Sequence, residues 1–159
     1  MKKKIVFITA TRADYGKIKS IIFKLSRDKK FEIYIFITGM HLQKKYGSTY
    51  MQILRENKNN CKLFLSSNYC RHNAQDKILS KTINSFSNYI NKINPDMIFV
   101  HGDRVEPLAA SISGSLNNFL VAHIEGGEVS GTIDEHMRHA ISKMSHLHFV
   151  SNRYAKKIL

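Results

Sequence analysis

Cysteine is nearly absent from this 159-residue chain, which has only Cys61 and Cys70. Two thiols supply neither a disulfide framework nor a metal-ligand spacing, and they fit a reducing compartment. Long apolar runs are lacking too, although 43% of the residues are hydrophobic. None approaches the roughly 18 residues that a membrane-spanning helix needs. Met1-Lys2-Lys3-Lys4 has the charge of a secretory leader, but the apolar stretch behind it, Ile5 to Ala10, is short. It runs into Thr11-Arg12-Ala13-Asp14 with no cleavage-site pattern, so a first strand and a cytoplasmic protein without a membrane partner are expected.

Acidic residues are scarce: 12 Asp and Glu stand against 25 Lys and Arg, a net charge of +13. The imbalance is confined to one part of the chain. Residues 1–93 hold 19 basic against 5 acidic side chains, whereas residues 94–159 hold 6 against 7. The lysines, such as Lys24, Lys29, Lys44, Lys45 and Lys58, scatter over the outer faces of expected helices. They form no patch with aromatics and no recognisable motif, so no nucleic-acid partner is expected. Their field favours an anionic substrate such as a nucleotide diphosphate. No GxGxxG is present, which argues against an NAD enzyme. Six of the eight histidines lie in residues 94–159, in different contexts and without metal-ligand spacing. Neither a metal nor another cofactor is expected.

What is present is a regular alternation. Strand-like runs recur at Lys4–Ala10, Phe31–Thr38, Cys61–Leu65, Met97–His101, Phe119–Ile124 and Leu147–Val150. They read as continuous apolar runs, the pattern of strands buried on both faces of a parallel sheet. Between them, Ile18, Ile21, Ile22 and Leu25 share one face of a helix. Ile78, Ile83, Phe86 and Ile90 mark another, and Leu108, Ile112 and Leu116 a third. The pattern predicts an α/β fold, a doubly wound, mostly parallel Rossmann-like sheet over residues 1–150. The polar stretch Ser66 to Gln75 reads as a loop, and residues 151–159 as the start of a helix capped by Ser151 or Asn152.

Ligands of an open parallel sheet bind outside the carboxyl ends of its strands, and the unusual residues cluster there. Thr11-Arg12-Ala13-Asp14 follows the first strand; Asp14 can cap the next helix, while the Arg12 guanidinium suits a diphosphate. Thr38-Gly39-Met40-His41 follows the second and is by itself only a turn with a histidine. After the fourth comes His101-Gly102-Asp103-Arg104, where Asp103 has an equal claim as a helix cap. After the fifth comes His123-Ile124-Glu125-Gly126-Gly127-Glu128, whose paired glycines would admit close approach of a ligand. In a helix beginning near Thr132, Asp134 faces Arg138 and Glu135 faces His139, with Thr132 and Glu135 placed for a capping box. Ile133, Met137, Ala140, Ile141 and Met144 are left to pack inward. Asp103, Glu125 and Asp134 converging with Arg12 and Arg138 would suit general acid/base work, because crowded carboxylates push their pKa values apart.

At these residues, and through Val129-Ser130-Gly131-Thr132-Ile133-Asp134 and Arg138-His139-Ala140-Ile141-Ser142-Lys143, the chain resembles the hydrolysing UDP-N-acetylglucosamine 2-epimerases of sialic and related nonulosonic acid synthesis. The resemblance covers essentially the whole chain but only the first half of a family member. It implies the N-terminal half of a two-domain, type B glycosyltransferase-like architecture, with residues 151–159 leading to a C-terminal domain that supplies most of the nucleotide pocket. The implied reaction is elimination of UDP to a 2-acetamidoglucal followed by addition of water, giving N-acetylmannosamine. Asp103, Glu125 and Asp134 match the catalytic carboxylates. Arg12, Asp14, His41, Arg104, His123 and Arg138 match substrate-binding positions, with Arg12 on the diphosphate and Arg138 orienting Asp134 or the sugar. The resemblance further implies a homo-oligomer in the full-length form. Two alternatives stand beside it: a related epimerase taking a GDP-sugar or a UDP-diacetamido sugar, and a catalytically incomplete sugar-nucleotide binding module.

Overall fold

The computed structural model describes residues 1–66 and 74–159. Cys70 and most of the expected Ser66–Gln75 loop fall outside them. Six strands alternate with helices: β1 (Lys3–Thr9), α1 (Arg12–Ser26), β2 (Phe31–Ile37), α2 (Tyr50–Asn57), β3 (Lys62–Leu65), α3 (Gln75–Ile93), β4 (Met97–His101), α4 (Val105–Leu116), β5 (Leu120–Ile124), α5 (Ile133–Lys143), β6 (Leu147–Phe149) and α6 (Arg153–Ile158). Two 3₁₀ turns, Gly39–Leu42 and Lys44–Tyr46, lead from β2 to α2. The strands form one all-parallel sheet in the order β3-β2-β1-β4-β5-β6. The chain therefore winds outward from β1 to β3, then returns to β1's other side and winds outward again. The crevice between β1 and β4, where the order reverses, is the place such sheets bind ligands.

Successive residues of β1 explain its unbroken apolar run. Ile5 and Phe7 point into a core with Tyr15, Ile18 and Ile22 of α1 and Ile53 of α2. Val6 and Ile8 point the other way, into a core with Phe86, Tyr89 and Ile90 of α3, Ala110 of α4 and Ile141 of α5. Covering both faces removes the polar alternation that a half-exposed strand would show.

The helix starts and stops follow local chemistry. Thr11 and Asp14 form a reciprocal capping box at α1: Asp14 N–H donates to Thr11 Oγ1 at 3.2 Å, and Thr11 N–H to Asp14 Oδ2 at 2.9 Å. Asn94, at φ +52°, ends α3 just before Pro95. Asn152 caps α6 by accepting the Ala155 N–H at 2.8 Å.

Three expectations about the helices change. On α4 the buried face is Ala109, Ala110, Ser113 and Gly114, whereas Leu116 is 73% exposed. Small residues win because α4 lies close to the sheet: a Cβ on Gly114 would come within 2.7 Å of Val121 and 2.9 Å of Ile98. On α5 the buried residues are Arg138, Ile141 and Ser142, and Ile133 is 71% exposed. No capping box forms there either: the Thr132 side chain makes no cap bond, and Glu135 accepts the Ser130 and Gly131 N–H groups at 2.7 and 2.6 Å.

Candidate functional site

An open hollow of about 230 Å³ lies at the carboxyl edge of the sheet, over the β1–β4 crevice. Thr11, Ala13, Asp14 and Lys17 line it from the β1–α1 turn and α1. His101, Gly102, Asp103 and Arg104 enter from the end of β4, Glu125 and Glu128 from the end of β5, and Arg138 from α5. Two of the three expected catalytic carboxylates, Asp103 and Glu125, thus face one space. Asp134 does not: it lines an adjoining hollow with Val105, Ile133 and Met137, and Arg104 is common to both.

Glu125 and Asp103 each have their own cation. Glu125 accepts from Lys17 Nζ at 2.9 Å and stands 3.1 Å from His101 Nε2. Burial raises the Glu125 carboxyl, but Lys17 and His101 outweigh it and hold the group below its usual range. Its backbone is at φ +64°, a left-handed conformation uncommon for a residue with a side chain. The Glu125 N–H bonds to Phe149 O at 2.9 Å, which helps fix that conformation where β5 meets its turn.

Asp103 pairs with Arg138, whose Nη1 also donates to Glu128 O at 2.7 Å. This corrects two expectations. Asp103 does not cap α4, whose cap position is Arg104, without a side-chain bond. Nor does Arg138 turn to Asp134 four residues earlier on its own helix; the buried guanidinium reaches across to the β4 end. The neighbouring pair does form, with His139 Nε2 and Glu135 Oε1 at 3.5 Å.

The remaining expected binding residues divide by depth. Asp14, 6% exposed, reaches the wall, but its carboxylate is occupied by the Ala10 and Thr11 N–H groups at 2.9 Å and by the Thr9 hydroxyl. Burial raises its pKa, and hydrogen bonding to His41, Thr9 and Ala10 more than offsets this. His41 is fully buried, with its ring nitrogens 3.0 Å from Thr9 Oγ1 and 2.7 Å from Thr49 Oγ1. His123 is also fully buried, held between Gly102 O at 2.7 Å and Ser142 Oγ at 3.1 Å. Burial pushes its pKa down to about 4. Both histidines therefore brace the turns behind the hollow and do not line it. Arg12 is the exposed first residue of α1, outside the lining, and among the described residues it has no ion-pair partner.

The paired glycines serve packing rather than ligand approach. A Cβ on Gly126 would meet His123 Nδ1 at 2.7 Å, and one on Gly127, at φ +80°, would meet Ala155 O at 2.3 Å. Residues not singled out from the sequence also matter here. Among them are Lys17 and His101, which flank Glu125, and Glu106 in the first turn of α4. Glu128 accepts from the Ser151 hydroxyl beside the hollow. Among the described residues, no group of three or more His, Cys, Asp or Glu side chains is arranged to hold a metal ion. Among them, too, no helix is long and apolar enough to cross a membrane.

A Rossmann-like α/β domain with paired carboxylates and cations at its topological switch point is the class that fold and site define. Residues 23–159 match the family model described as UDP-N-acetylglucosamine 2-epimerase, and the chain belongs to that family. A relative of that name from Neisseria meningitidis serogroup B is 44% identical over 153 residues, covering 96% of this chain and 40% of the relative. The UDP-N,N'-diacetylbacillosamine 2-epimerase (hydrolyzing) of Legionella pneumophila is 37% identical, covering 100% and 42%. The GDP/UDP-N,N'-diacetylbacillosamine 2-epimerase (hydrolyzing) of Campylobacter jejuni is 36% identical, covering 99% and 41%. Among solved structures, Neisseria meningitidis UDP-GlcNAc 2-epimerase bound to UDP-GlcNAc superposes with a TM-score of 0.85 at 22% identity, over 97% of this chain and 41% of that one. The chain thus spans about two-fifths of the length of these relatives.

Proposed function

We propose that this chain is the N-terminal half of a hydrolysing UDP-N-acetylglucosamine 2-epimerase, with residues 1–150 as its first domain and residues 151–159 leading to a second. The observation that carries the reading is the placing of Asp103 and Glu125, each beside its own cation, around one hollow at the switch point. At about 230 Å³ the hollow is smaller than the few hundred Å³ that enclose a ligand of this size. A second domain closing over it would supply the other wall and most of the nucleotide contacts.

The chemistry needs a base and a stabilised leaving group together, because the C2 proton is barely acidic until the anomeric C–O bond begins to break. In the first step a carboxylate takes the C2 proton, the C1–C2 double bond forms, and the C1–O electrons leave with UDP. In the second, water adds its hydroxyl to C1 and gives its remaining proton to a carboxylate, while a second, protonated carboxyl on the other face donates a proton to C2, giving N-acetylmannosamine. Glu125, kept ionised by Lys17 and His101, is placed to accept a proton. Asp103, tied to Arg138, is the second participant. Asp134 and Arg104 line the adjoining hollow, and Arg12, exposed at the start of α1, would meet phosphate once a second domain closed the cleft.

The test is a coupled assay for UDP release and N-acetylmannosamine formation from UDP-N-acetylglucosamine, on this chain and on a polypeptide of family length. Turnover in the long form only, lost in Asp103→Asn and Glu125→Gln, is the expected result. Unchanged rates in both variants would remove the assigned roles. A second reading is favoured by the names of the Legionella and Campylobacter relatives: the sugar is a diacetamido one carried on UDP or GDP. A substrate panel run on the long form separates the two.

A further inference from the structure

Behind the hollow lies a carboxylate that the proposed chemistry does not use. Glu106, in the first turn of α4, is only 2% exposed. Its Oε1 packs against Gly39, where a Cβ would come within 2.7 Å of it. Its Oε2 lies 3.4 Å from Arg104 Nε, and neither atom has a hydrogen-bond partner among the described residues. Helix-dipole stabilisation accounts for an acid in a first turn, but not for enclosing it so completely. A buried carboxylate is costly unless a partner compensates, and among the described residues the only cation paired with this one is Arg104.

Arg104 in turn occupies a special place. It is the residue shared by the hollow of Asp103 and Glu125 and the adjoining hollow of Asp134. Its Nε is enclosed, whereas the side chain as a whole is 36% exposed. A guanidinium can be gripped at Nε from one side and still present its terminal nitrogens as a fork to an anion on the other. Both buried atoms stop short of an aligned bond, so a small forward or backward movement of the guanidinium changes how well Glu106 holds it.

The geometry points to Glu106 as a positioning residue that holds Arg104 from behind, so that its guanidinium meets the phosphates of a nucleoside diphosphate between the two hollows. This rests on the nucleotide-sugar reading above. Glu106 touches no substrate; it acts through Arg104.

The experiment uses the family-length polypeptide and UDP as the probe, with affinity measured by calorimetry and KM and kcat measured on the sugar nucleotide. Glu106→Gln keeps the volume and removes the charge. It should weaken UDP binding about tenfold, the loss of one well-held charge-assisted contact, and raise KM more than it lowers kcat. In an Arg104→Met background, Glu106→Gln should weaken binding no further. Equal weakening in both backgrounds, or full affinity in Glu106→Gln, overturns the proposal. If Glu106→Gln does not fold, Arg104→Lys, which keeps a charge but has no Nε, should show the same roughly tenfold loss; full affinity there overturns the proposal. A wild type that does not bind UDP defeats the nucleotide reading and this proposal with it. A wild type that binds UDP, with equal weakening in the two backgrounds, defeats this proposal alone.

Discussion

Arg138→Met removes a buried guanidinium while keeping most of its apolar stem. The side chain of Arg138 is 8% exposed and that of its partner Asp103 29%. Breaking a fully buried pair costs roughly 3–5 kcal/mol, mostly because the remaining charge is left uncompensated. Partial exposure of Asp103 lets water recover part of that, while Glu128 O loses a charged donor at 2.7 Å. The sum is about 3 kcal/mol. For a domain of this size it corresponds to a fall of roughly 6–12 °C in Tm. Chemical denaturation of Arg138→Met, Asp103→Asn and the double variant would measure the pair itself, with an expected coupling of about 2 kcal/mol. The companion cycle uses Asp134→Asn, four residues before Arg138 on α5. It should show coupling below about 0.5 kcal/mol, because the guanidinium turns to Asp103 across the hollow. Strong coupling to Asp134 with none to Asp103 would refute the reasoning.

Two further outcomes follow from the same structure. Gly127→Ala places a methyl where Ala155 O lies 2.3 Å away, at φ +80°. It should cost roughly 1–3 kcal/mol, seen as a lower urea midpoint; an unchanged midpoint would mean that α6 does not dock against this turn. His123 gives a pH dependence. The unfolded chain takes up its proton near the ordinary pKa of about 6.5, but burial holds the folded group neutral down to about 4. Between those values the unfolded state binds more protons, so stability rises with pH there. The contribution is complete above about 6.5 and is lost as pH falls towards 4, on the order of 3 kcal/mol. Denaturation curves across that range should lose this slope in His123→Gln; a slope retained in the variant would place the titration elsewhere.

Much of the architecture is legible in the sequence because it depends on local pattern. Unbroken apolar runs such as Val6-Phe7-Ile8 can form only where both faces of a strand are covered. Caps act over three residues and are partly legible: Asp14, read as a cap of α1, is the N3 partner of the Thr11 cap, and Asn152, one of two candidates, caps α6, whereas Thr132 and Glu135 at the same spacing form no box. Helix faces are harder to read. In α4 closeness to the sheet favours Ala109, Ala110 and Gly114 over the more hydrophobic Leu116, and that spacing is set by β4 and β5.

The site shows the same division. The sequence by itself determined which segments meet at the edge over the crevice, because in a doubly wound sheet every strand's carboxyl end comes to one edge. It could not determine how the side chains there share their partners. Lys17 meets Glu125 across 108 positions of the chain, and Arg138 meets Asp103 across 35. His41 and His123, attractive as ligands by position, are enclosed by packing that only the assembled layers create. Glu106 looks like any first-turn acid until α4 is set against Gly39 and closes over it. Hydrophobic period and caps are properties of neighbours in sequence. Burial and charge pairing are properties of neighbours in space, and the tertiary structure alone decided those.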